Sequence, residues 1–159
     1  MLFFVKILTF NIMKKLYTLL FFVYGFIANA QIVNIPDANF KAKLLQASPS
    51  IQIAKSTAGL WIKVDANNDG EIQSSEASQV AALYVNFSSI SLLTGIESFT
   101  NLKILSCYNN NITTLDVSML PLLQELYCYN NSLTSLNVSN TALKRLECQY
   151  NYLLTTLNY

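Results

Sequence analysis

The chain has 159 residues, of which 52% are hydrophobic and only 12% are charged, and its formal net charge is +1 at pH 7. This balance argues against a basic nucleic-acid-binding protein and against an acidic disordered tail. The sequence contains no histidine, which excludes catalytic triads and metal sites that depend on an imidazole.

The first segment, residues 1–30, has the pattern of a secretory signal peptide. Two lysines precede an apolar stretch over residues 16–27, and the small-residue sequence Ala-Asn-Ala at 28–30 is typical of a cleavage site. The apolar stretch is too short to cross a hydrocarbon core of about 30 Å as a helix. We therefore expect Met13 as the true start, cleavage before Gln31, and no stable membrane span afterwards.

The second segment, residues 31–79, has the texture of a small helical cap. Asp37 is a favourable N-cap residue, and the pattern after it predicts a helix over residues 38–47. Phe40 and Leu44 share one face of that helix, which should be buried.

A twelve-residue stretch at 65–76 matches the D-x-N-x-D-G-x-I-x-x-x-E pattern of an EF-hand calcium loop. Gly70 at the sixth position permits the sharp turn of such a loop, and Ile72 at the eighth is the usual apolar anchor. The expected oxygen ligands are Asp65, Asn67, Asp69, the backbone carbonyl of Glu71, Gln73 through water, and a bidentate Glu76. Oxygen ligands of this kind favour calcium over zinc or copper.

The surroundings of this loop depart from an ordinary EF-hand. Gly59 and β-branched neighbours flank Trp61, so a regular entering helix is not expected. An exiting helix is predicted over residues 75–83. Only one loop is present, whereas EF-hands normally pair, and the alternative is a polar turn that caps the next helix.

The C-terminal half contains a tandem repeat of about 21 residues. Two units begin at Leu102 and Leu123 with the pattern L-x-x-L-x-C-x-x-N-x-[IL]-x-x-L-[DN]-V-S, a third starts at Leu143, and a degenerate unit from Val80 precedes them. Each unit should contribute one short strand to a parallel stack, because no unit can bury its apolar side alone. The expected strands lie around residues 104–108, 125–129 and 145–149.

This pattern resembles leucine-rich repeats, and its period with cysteine in the third strand position is similar to the cysteine-ladder repeats of internalin-type bacterial surface proteins. The resemblance implies an α/β fold: a short leucine-rich repeat solenoid over residues 80–159 behind a helical, EF-hand-like cap over 31–79. It also implies that Asn110, Asn131 and Asn151 bond backbone groups of neighbouring coils. Internalin caps generally do not retain the metal loop, so the calcium prediction depends on residues 65–76 alone.

The three cysteines occupy equivalent positions in successive units. Inward-facing thiols, one in each coil, favour small buried hydrophobic side chains. Parallel strands lie about 4.8 Å apart, which exceeds the usual Cβ separation of a disulfide, about 3.8 Å. One strained disulfide and a thiolate metal site remain the alternatives.

No motif indicates catalysis, and we expect a secreted or surface-exposed recognition module that binds protein or carbohydrate, without nucleic acid. Outward strand positions should form three columns on the concave face: Ala82/Ile104/Glu125/Arg145, Tyr84/Ser106/Tyr127/Glu147 and Asn86/Tyr108/Tyr129/Gln149. The predicted ligand contacts among them are Tyr84, Tyr108, Tyr127, Tyr129, Glu125, Arg145 and Glu147, because tyrosine is favoured at interfaces.

A second interpretation is a structural or targeting role as the N-terminal part of a larger repeat-containing surface protein or adhesin. The sequence stops at Tyr159 inside a repeat, without a polar terminal cap. On this interpretation further repeats and a sorting domain would follow.

Overall fold

The computed structural model describes residues 31–159. The predicted signal peptide and the residues before its cleavage site lie outside the described residues. The elements in chain order are α1 (Ala38–Leu45), β1 (Ala54–Ser56), β2 (Trp61–Ile62), α2 (Ser74–Ala77), β3 (Val80–Tyr84), a 3-10 turn (Ile96–Ser98), β4 (Ile104–Ser106), β5 (Thr114–Asp116), β6 (Glu125–Tyr127), β7 (Ser135–Asn137), β8 (Arg145–Glu147) and β9 (Thr156–Asn158).

Helix α1 begins where the sequence predicts it. The Asp37 carboxylate accepts hydrogen bonds from the backbone N–H groups of Asn39 and Phe40, which satisfies donors that have no partner inside the helix. Phe40 and Leu44, four residues apart, lie on one face and are fully buried. The prediction of this helix and of its buried face is confirmed, although the helix ends at Leu45.

The segment before the acidic loop is a hairpin. Strands β1 and β2 pair antiparallel, and β1 also pairs antiparallel with β3. The β-branched and aromatic residues around Trp61 suit this extended conformation. Because of the hairpin, the cap contributes two strands to the sheet of the solenoid, and its helical content is smaller than the sequence suggested.

The exiting helix predicted over residues 75–83 is wrong beyond its first turn. Helix α2 ends at Ala77, and β3 begins at Val80. Val80 and Leu83 are fully buried, and β3 pairs in parallel with β4, so burial in the sheet overrides any local helical preference.

Strands β3, β4, β6 and β8 form the parallel part of a six-stranded sheet with the order β2-β1-β3-β4-β6-β8. Each of β4, β6 and β8 lies inside the segment predicted for it, but spans only three residues. Equivalent residues pair directly, as Leu105 does with Leu126 and Leu126 with Leu146. The repeat alignment therefore gives the strand register.

A second parallel sheet, β5-β7-β9, covers the return side of the coils. Its strands were not predicted from the sequence. Leu115 and Leu136 are the central residues of β5 and β7, and both are buried, as is Val117.

The predicted asparagines join successive coils. Asn110 is buried, and its Oδ1 accepts from the backbone N–H of Ser88 and of Ile90, each at 3.0 Å. Its amide donates to the backbone carbonyls of Val85, one coil back, and Cys107, in its own coil. Asn131 and Asn151 repeat this arrangement one coil further each. The implied role of these amides is confirmed.

The cysteine side chains lie inside the stack as free thiols. Cys107 and Cys128 are fully buried, whereas Cys148 in the last coil is half-buried. Burial raises the pKa of the Cys107 thiol to about 12 and raises that of Cys128 further. The two buried cysteines therefore stay protonated at neutral pH and pack as small hydrophobic side chains.

Candidate functional site

The outer face of the six-stranded sheet carries the candidate recognition surface. The three columns expected from the sequence lie side by side, because Ala82, Ile104, Glu125 and Arg145 pair in register along β3, β4, β6 and β8. A groove of about 390 Å³ runs over these columns. It is lined by Tyr84, Asn86, Ile104, Ser106, Tyr108, Glu125, Tyr127, Tyr129, Arg145 and Glu147. All seven residues proposed from the sequence are in this set.

The tyrosines of the third column stack on each other. The rings of Tyr108 and Tyr129 have centroids 4.4 Å apart and are nearly parallel, with an angle of 7°. Phe87 lies edge-on against Tyr108 at 5.3 Å. Aromatic pairs in these geometries contribute about 0.5–1.5 kcal/mol beyond area burial. The stack presents ring edges and hydroxyl groups at the surface.

Phe87 was not singled out from the sequence. It is 71% exposed and has a left-handed backbone, with φ of +52°. The same turn position is left-handed in every coil, and Asn109, Asn130 and Tyr150 occupy it later. Asparagine tolerates this conformation, but an aromatic residue there is strained. The aligned repeat units contain a sign of this, because Phe87 and Tyr150 occupy a turn position that asparagine holds in the other two units.

The charged residues of the groove are the Arg145–Glu147 ion pair and the Glu125 carboxylate, which has no salt bridge among the described residues. Arg145 donates to the Glu147 carboxylate at 2.5 Å, and its guanidinium lies 5.3 Å from the centre of the Tyr127 ring. The Tyr127 hydroxyl donates to Glu125 at 2.6 Å. This hydrogen bond is the main cause that raises the pKa of the Tyr127 phenol, because removing its proton would place a negative charge beside the carboxylate.

The cap hairpin extends this face, which sequence reasoning missed. Lys55 on β1 pairs with both Trp61 and Ala82, so their side chains share one side of the sheet. The Lys55 ammonium lies 4.4 Å from the centre of the Trp61 ring, and that ring lies 5.6 Å from Tyr84. Only the hairpin pairing places Trp61 there.

The acidic loop folds around its first residue. Asp65 is 5% exposed and accepts hydrogen bonds from the backbone N–H of Asp69 at 3.2 Å and of Gly70 at 3.3 Å. Gly70 has a φ of +80°, so the sixth position uses the freedom that glycine provides. Within residues 31–159, no lysine or arginine is within ion-pairing distance of Asp65. Its buried charge is therefore balanced by backbone donors alone.

Two further acidic residues of the loop are held by an ion pair and by backbone hydrogen bonds. The Glu71 side chain pairs with Lys41 at 2.7 Å, which suits a position whose backbone carbonyl is the expected ligand. Glu76 accepts from the backbone N–H of Ala66 at 2.8 Å and of Gln73 at 3.1 Å, so it closes the loop by hydrogen bonds.

Two side-chain amides of the loop donate hydrogen bonds to the Asp69 carboxylate. Asn67 and Gln73 each donate an amide N–H to the same oxygen of Asp69, at 2.9 and 2.8 Å. No three Cys, Asp or Glu side chains in the described part of the chain are gathered closely enough to hold a metal ion.

The loop has a partner strand from the start of the described chain. Ile32 forms an antiparallel bridge with Gln73, and the Val33 backbone N–H donates to the Ile72 carbonyl at 2.8 Å. The Ser74 backbone N–H donates to the Gln31 carbonyl at the same distance. Residues 31–33 thus supply the pairing that a second loop would otherwise give.

No helix of residues 31–159 has the length and apolar character needed to cross a bilayer.

Among solved structures, the chain is similar to the functional domain of the internalin InlJ from Listeria monocytogenes, which includes a cysteine ladder. The two are 33% identical with a TM-score of 0.56, and the match covers 80% of this chain but 28% of the InlJ chain. Listeria monocytogenes internalin C2 matches at 17% identity and a TM-score of 0.44, over 80% of this chain and 57% of its own. Internalin InlF of the same species matches at 20% identity and 0.42, over 82% and 46%.

No protein-family model matches the sequence, and a comparison with curated proteins finds no match. The similarity to InlJ and the coil geometry show that the fold is a short α/β leucine-rich repeat solenoid. The chain spans about 28% of the length of the InlJ structure.

Proposed function

We propose that this chain is a secreted or surface-exposed recognition module that binds a protein ligand on its concave sheet and performs no catalysis. The pattern of residues 1–30 supports export, and the internalin-like fold supports recognition. Activity and partners of the longer InlJ chain are not transferred, because the match covers only 28% of that chain.

The observation that carries the proposal is the groove over β3, β4, β6 and β8. It combines four tyrosines with three charged side chains on a rigid parallel sheet. Tyrosine gives a large contact area at a low cost in side-chain entropy, and aromatic residues and arginine are enriched in protein interfaces.

The stacking of the tyrosines favours a protein ligand over a carbohydrate. A sugar ring packs best on a free aromatic face, but Tyr108 and Tyr129 cover each other's inner faces at 4.4 Å. Their edges and hydroxyl groups remain available for hydrogen bonds with a polypeptide. Carbohydrate binding is therefore the alternative outcome of the test.

The test compares one triple alanine variant with one double alanine variant. Tyr108→Ala/Tyr127→Ala/Tyr129→Ala removes the aromatic core of the groove. Tyr152→Ala/Tyr159→Ala is the matched control, because both tyrosines are highly exposed, at 88% and 96%, and neither lines the groove. Circular dichroism should show both variants folded.

The protein and its variants would be offered to extracellular protein fractions and, separately, to a glycan array. We expect capture of a protein ligand, an affinity at least tenfold weaker for the triple variant, and no change for the control. Equal binding by the triple variant would contradict a concave site. Binding confined to glycans, and abolished by periodate, would replace protein by carbohydrate as the ligand.

We also propose that residues 65–76 bind one calcium ion and that binding stabilises the cap. The complete loop pattern, the buried Asp65 with no basic partner among the residues that the structure describes, and the left-handed Gly70 at the sixth position support this. The Lys41–Glu71 pair agrees with a Glu71 side chain that is not a ligand. The bound ion would take the place at Asp69 of the two neutral amide donors from Asn67 and Gln73.

The measurement is the melting temperature with calcium and with chelator. For a dissociation constant on the order of 10⁻⁴ M, calcium at ten- to hundredfold excess would add roughly 1.4–2.7 kcal/mol to the free energy of unfolding. Glu76→Gln should reduce this gain, whereas Glu71→Gln should keep it.

Glu76→Gln also loses an acceptor for the loop backbone, so it should be less stable even with chelator. The deciding quantity is therefore the calcium-dependent shift of each variant. Equal shifts for the parent and Glu76→Gln, or no shift at all, would mean that the loop is only a capping turn.

A further inference from the structure

The groove carries one carboxylate more than its cations neutralise. Arg145 on β8 is the register partner of Glu125 on β6. Its Nε and Nη2 nevertheless donate to Glu147, at 3.0 and 2.5 Å. Glu125 has no ion-pair partner among residues 31–159, and its Oε2 accepts only the Tyr127 hydroxyl. Among the residues that line the groove, two acids therefore share one base.

Lys55, a second base on the same side of the sheet, contacts an aromatic ring away from Glu125. Lys55 lies over the Trp61 ring at 4.4 Å, and two strands separate it from β6. Arg145 and Lys55 each place a cation against an aromatic ring on this sheet, at Tyr127 and Trp61. The surface thus already holds two cations by the same chemistry.

Between Tyr84 and Glu125 the groove offers an aromatic ring and a carboxylate to a cation, and no cationic side chain of the groove lining is paired with them. Both residues line the groove, together with Ile104 between their strands. Burial, and secondly the negative charge of Glu125, raise the pKa of the Tyr84 phenol, so the Glu125 carboxylate lies close enough to act on this ring. The hydrocarbon part of a basic side chain from a ligand would pack on Ile104 and the tyrosine rings, and the charged end of that side chain would reach Glu125.

We infer that the protein ligand of the concave face inserts an arginine or lysine side chain into the groove, where the cation pairs with Glu125 beside Tyr84 and Tyr127. This deepens the proposed recognition function and depends on it. An arginine suits the site better than a lysine, because a guanidinium can pair with a carboxylate while lying flat on a ring.

The test uses the protein expressed from the full sequence, labelled with ¹⁵N, and follows its amide resonances by NMR. The probe is N-acetyl-L-arginine methylamide, and the matched control probe is the citrulline analogue, which has nearly the same shape but no charge. Sodium chloride keeps the ionic strength equal in both titrations, since exposed ion pairs are screened by salt.

We expect saturable shifts at Tyr84, Ser106 and residues 125–127 with the arginine probe, and a response at least fivefold weaker with the citrulline probe. Glu125→Gln should weaken arginine binding about fivefold. Glu97→Gln is the control variant, because Glu97 is an exposed carboxylate that lies against β5 in the other sheet.

Equal binding of the two probes, shifts located elsewhere, or unchanged affinity in Glu125→Gln would overturn the inference. Its failure is distinguishable from failure of the recognition function. A ligand that is lost with the tyrosine triple variant but bound equally by Glu125→Gln would leave the concave site intact and remove the basic side chain from it.

Discussion

The Asp37 carboxylate accepts a hydrogen bond from the backbone N–H of Ser91 at 2.8 Å, across 54 positions of sequence. The same oxygen accepts from Leu92, while the other oxygen caps α1. One side chain therefore starts the helix of the cap and fixes the cap to the first coil. Gly95 adds to this junction, since a Cβ there would lie 2.8 Å from the Ile35 side chain.

Replacing Asp37 should weaken both the helix and the junction. We expect Asp37→Ala to lower the free energy of unfolding by about 1–2 kcal/mol, because a lost N-cap costs about 1 kcal/mol and the Ser91 and Leu92 donors turn to water. Asp37→Asn should cost less, since its single oxygen still caps α1. Urea unfolding measures both, and equal stability of Asp37→Ala and the parent would contradict the shared role.

The same contacts predict an acid sensitivity. Burial alone would raise the pKa of Asp37, but backbone N–H groups of Phe40, Ser91, Leu92 and Asn39 hold that pKa below its usual value. A lowered pKa in the folded state means that the stabilisation is complete above the unfolded value, 3.8, and is lost as the pH falls through the folded value. Below about pH 4 the stability of the parent should therefore fall more steeply than that of Asp37→Asn. Parallel profiles would be the contrary result.

Two adjacent asparagines offer a matched comparison. Asn110→Ala should cost about 2–4 kcal/mol, because it leaves buried N–H and C=O groups of two coils without partners. Asn111→Ala, at an exposed position, should change stability by about 0.5 kcal/mol or less. Thermal or urea unfolding separates them, and similar costs would mean that the buried amides are replaced by water.

The left-handed turn position can be improved. Tyr150 has a φ of +60° and is 58% exposed, and asparagine holds the equivalent place in two other coils. We expect Tyr150→Asn to raise the free energy of unfolding by about 0.5–1 kcal/mol by relieving backbone strain. Phe87→Asn should gain less, because it also loses the contact with Tyr108. A less stable Tyr150→Asn protein would show that its ring contributes more than the strain costs.

The thiols should react in order of burial. We expect Cys148 to react with a thiol reagent in the native protein, whereas Cys107 and Cys128 react only after unfolding, because burial raises their pKa values. Cys148→Ser should abolish the native reaction. Three equally fast thiols would show that the stack opens under native conditions.

The repeats were predictable because each unit solves the same packing problem. Leu105, Cys107 and Asn110 recur at a constant spacing within each unit, and this spacing predicts the strands, the inward face and the strand register. The second sheet was missed because its strands are three residues long, too short for an alternating pattern to be recognised around Leu115.

The cap was less predictable because its elements depend on distant partners. Local sequence extended the exiting helix over residues 80–83, whereas the repeat alignment placed Ala82 at a strand position. Pairing with β1 and β4 makes these residues a strand. The residues that flank Trp61 argued against a helix there, but nothing local indicates that a hairpin carries Trp61 beside Tyr84. For residues 65–76, the sequence pattern identifies the oxygen atoms that could bind calcium. It does not indicate which backbone N–H groups these oxygens accept from in the folded chain.

The asparagine bonds also have a consequence for how such chains change in length. Each amide connects its own coil to the one before it and reaches no further, as in the step from Asn131 to Cys107. An in-frame duplication of one whole unit would thus reproduce every bond and lengthen the groove by one strand, without disturbing the cap. Insertion of a few residues within a unit would instead break the bonds on both sides. Recombination between units is therefore the tolerated route by which the concave surface could acquire new rows of side chains.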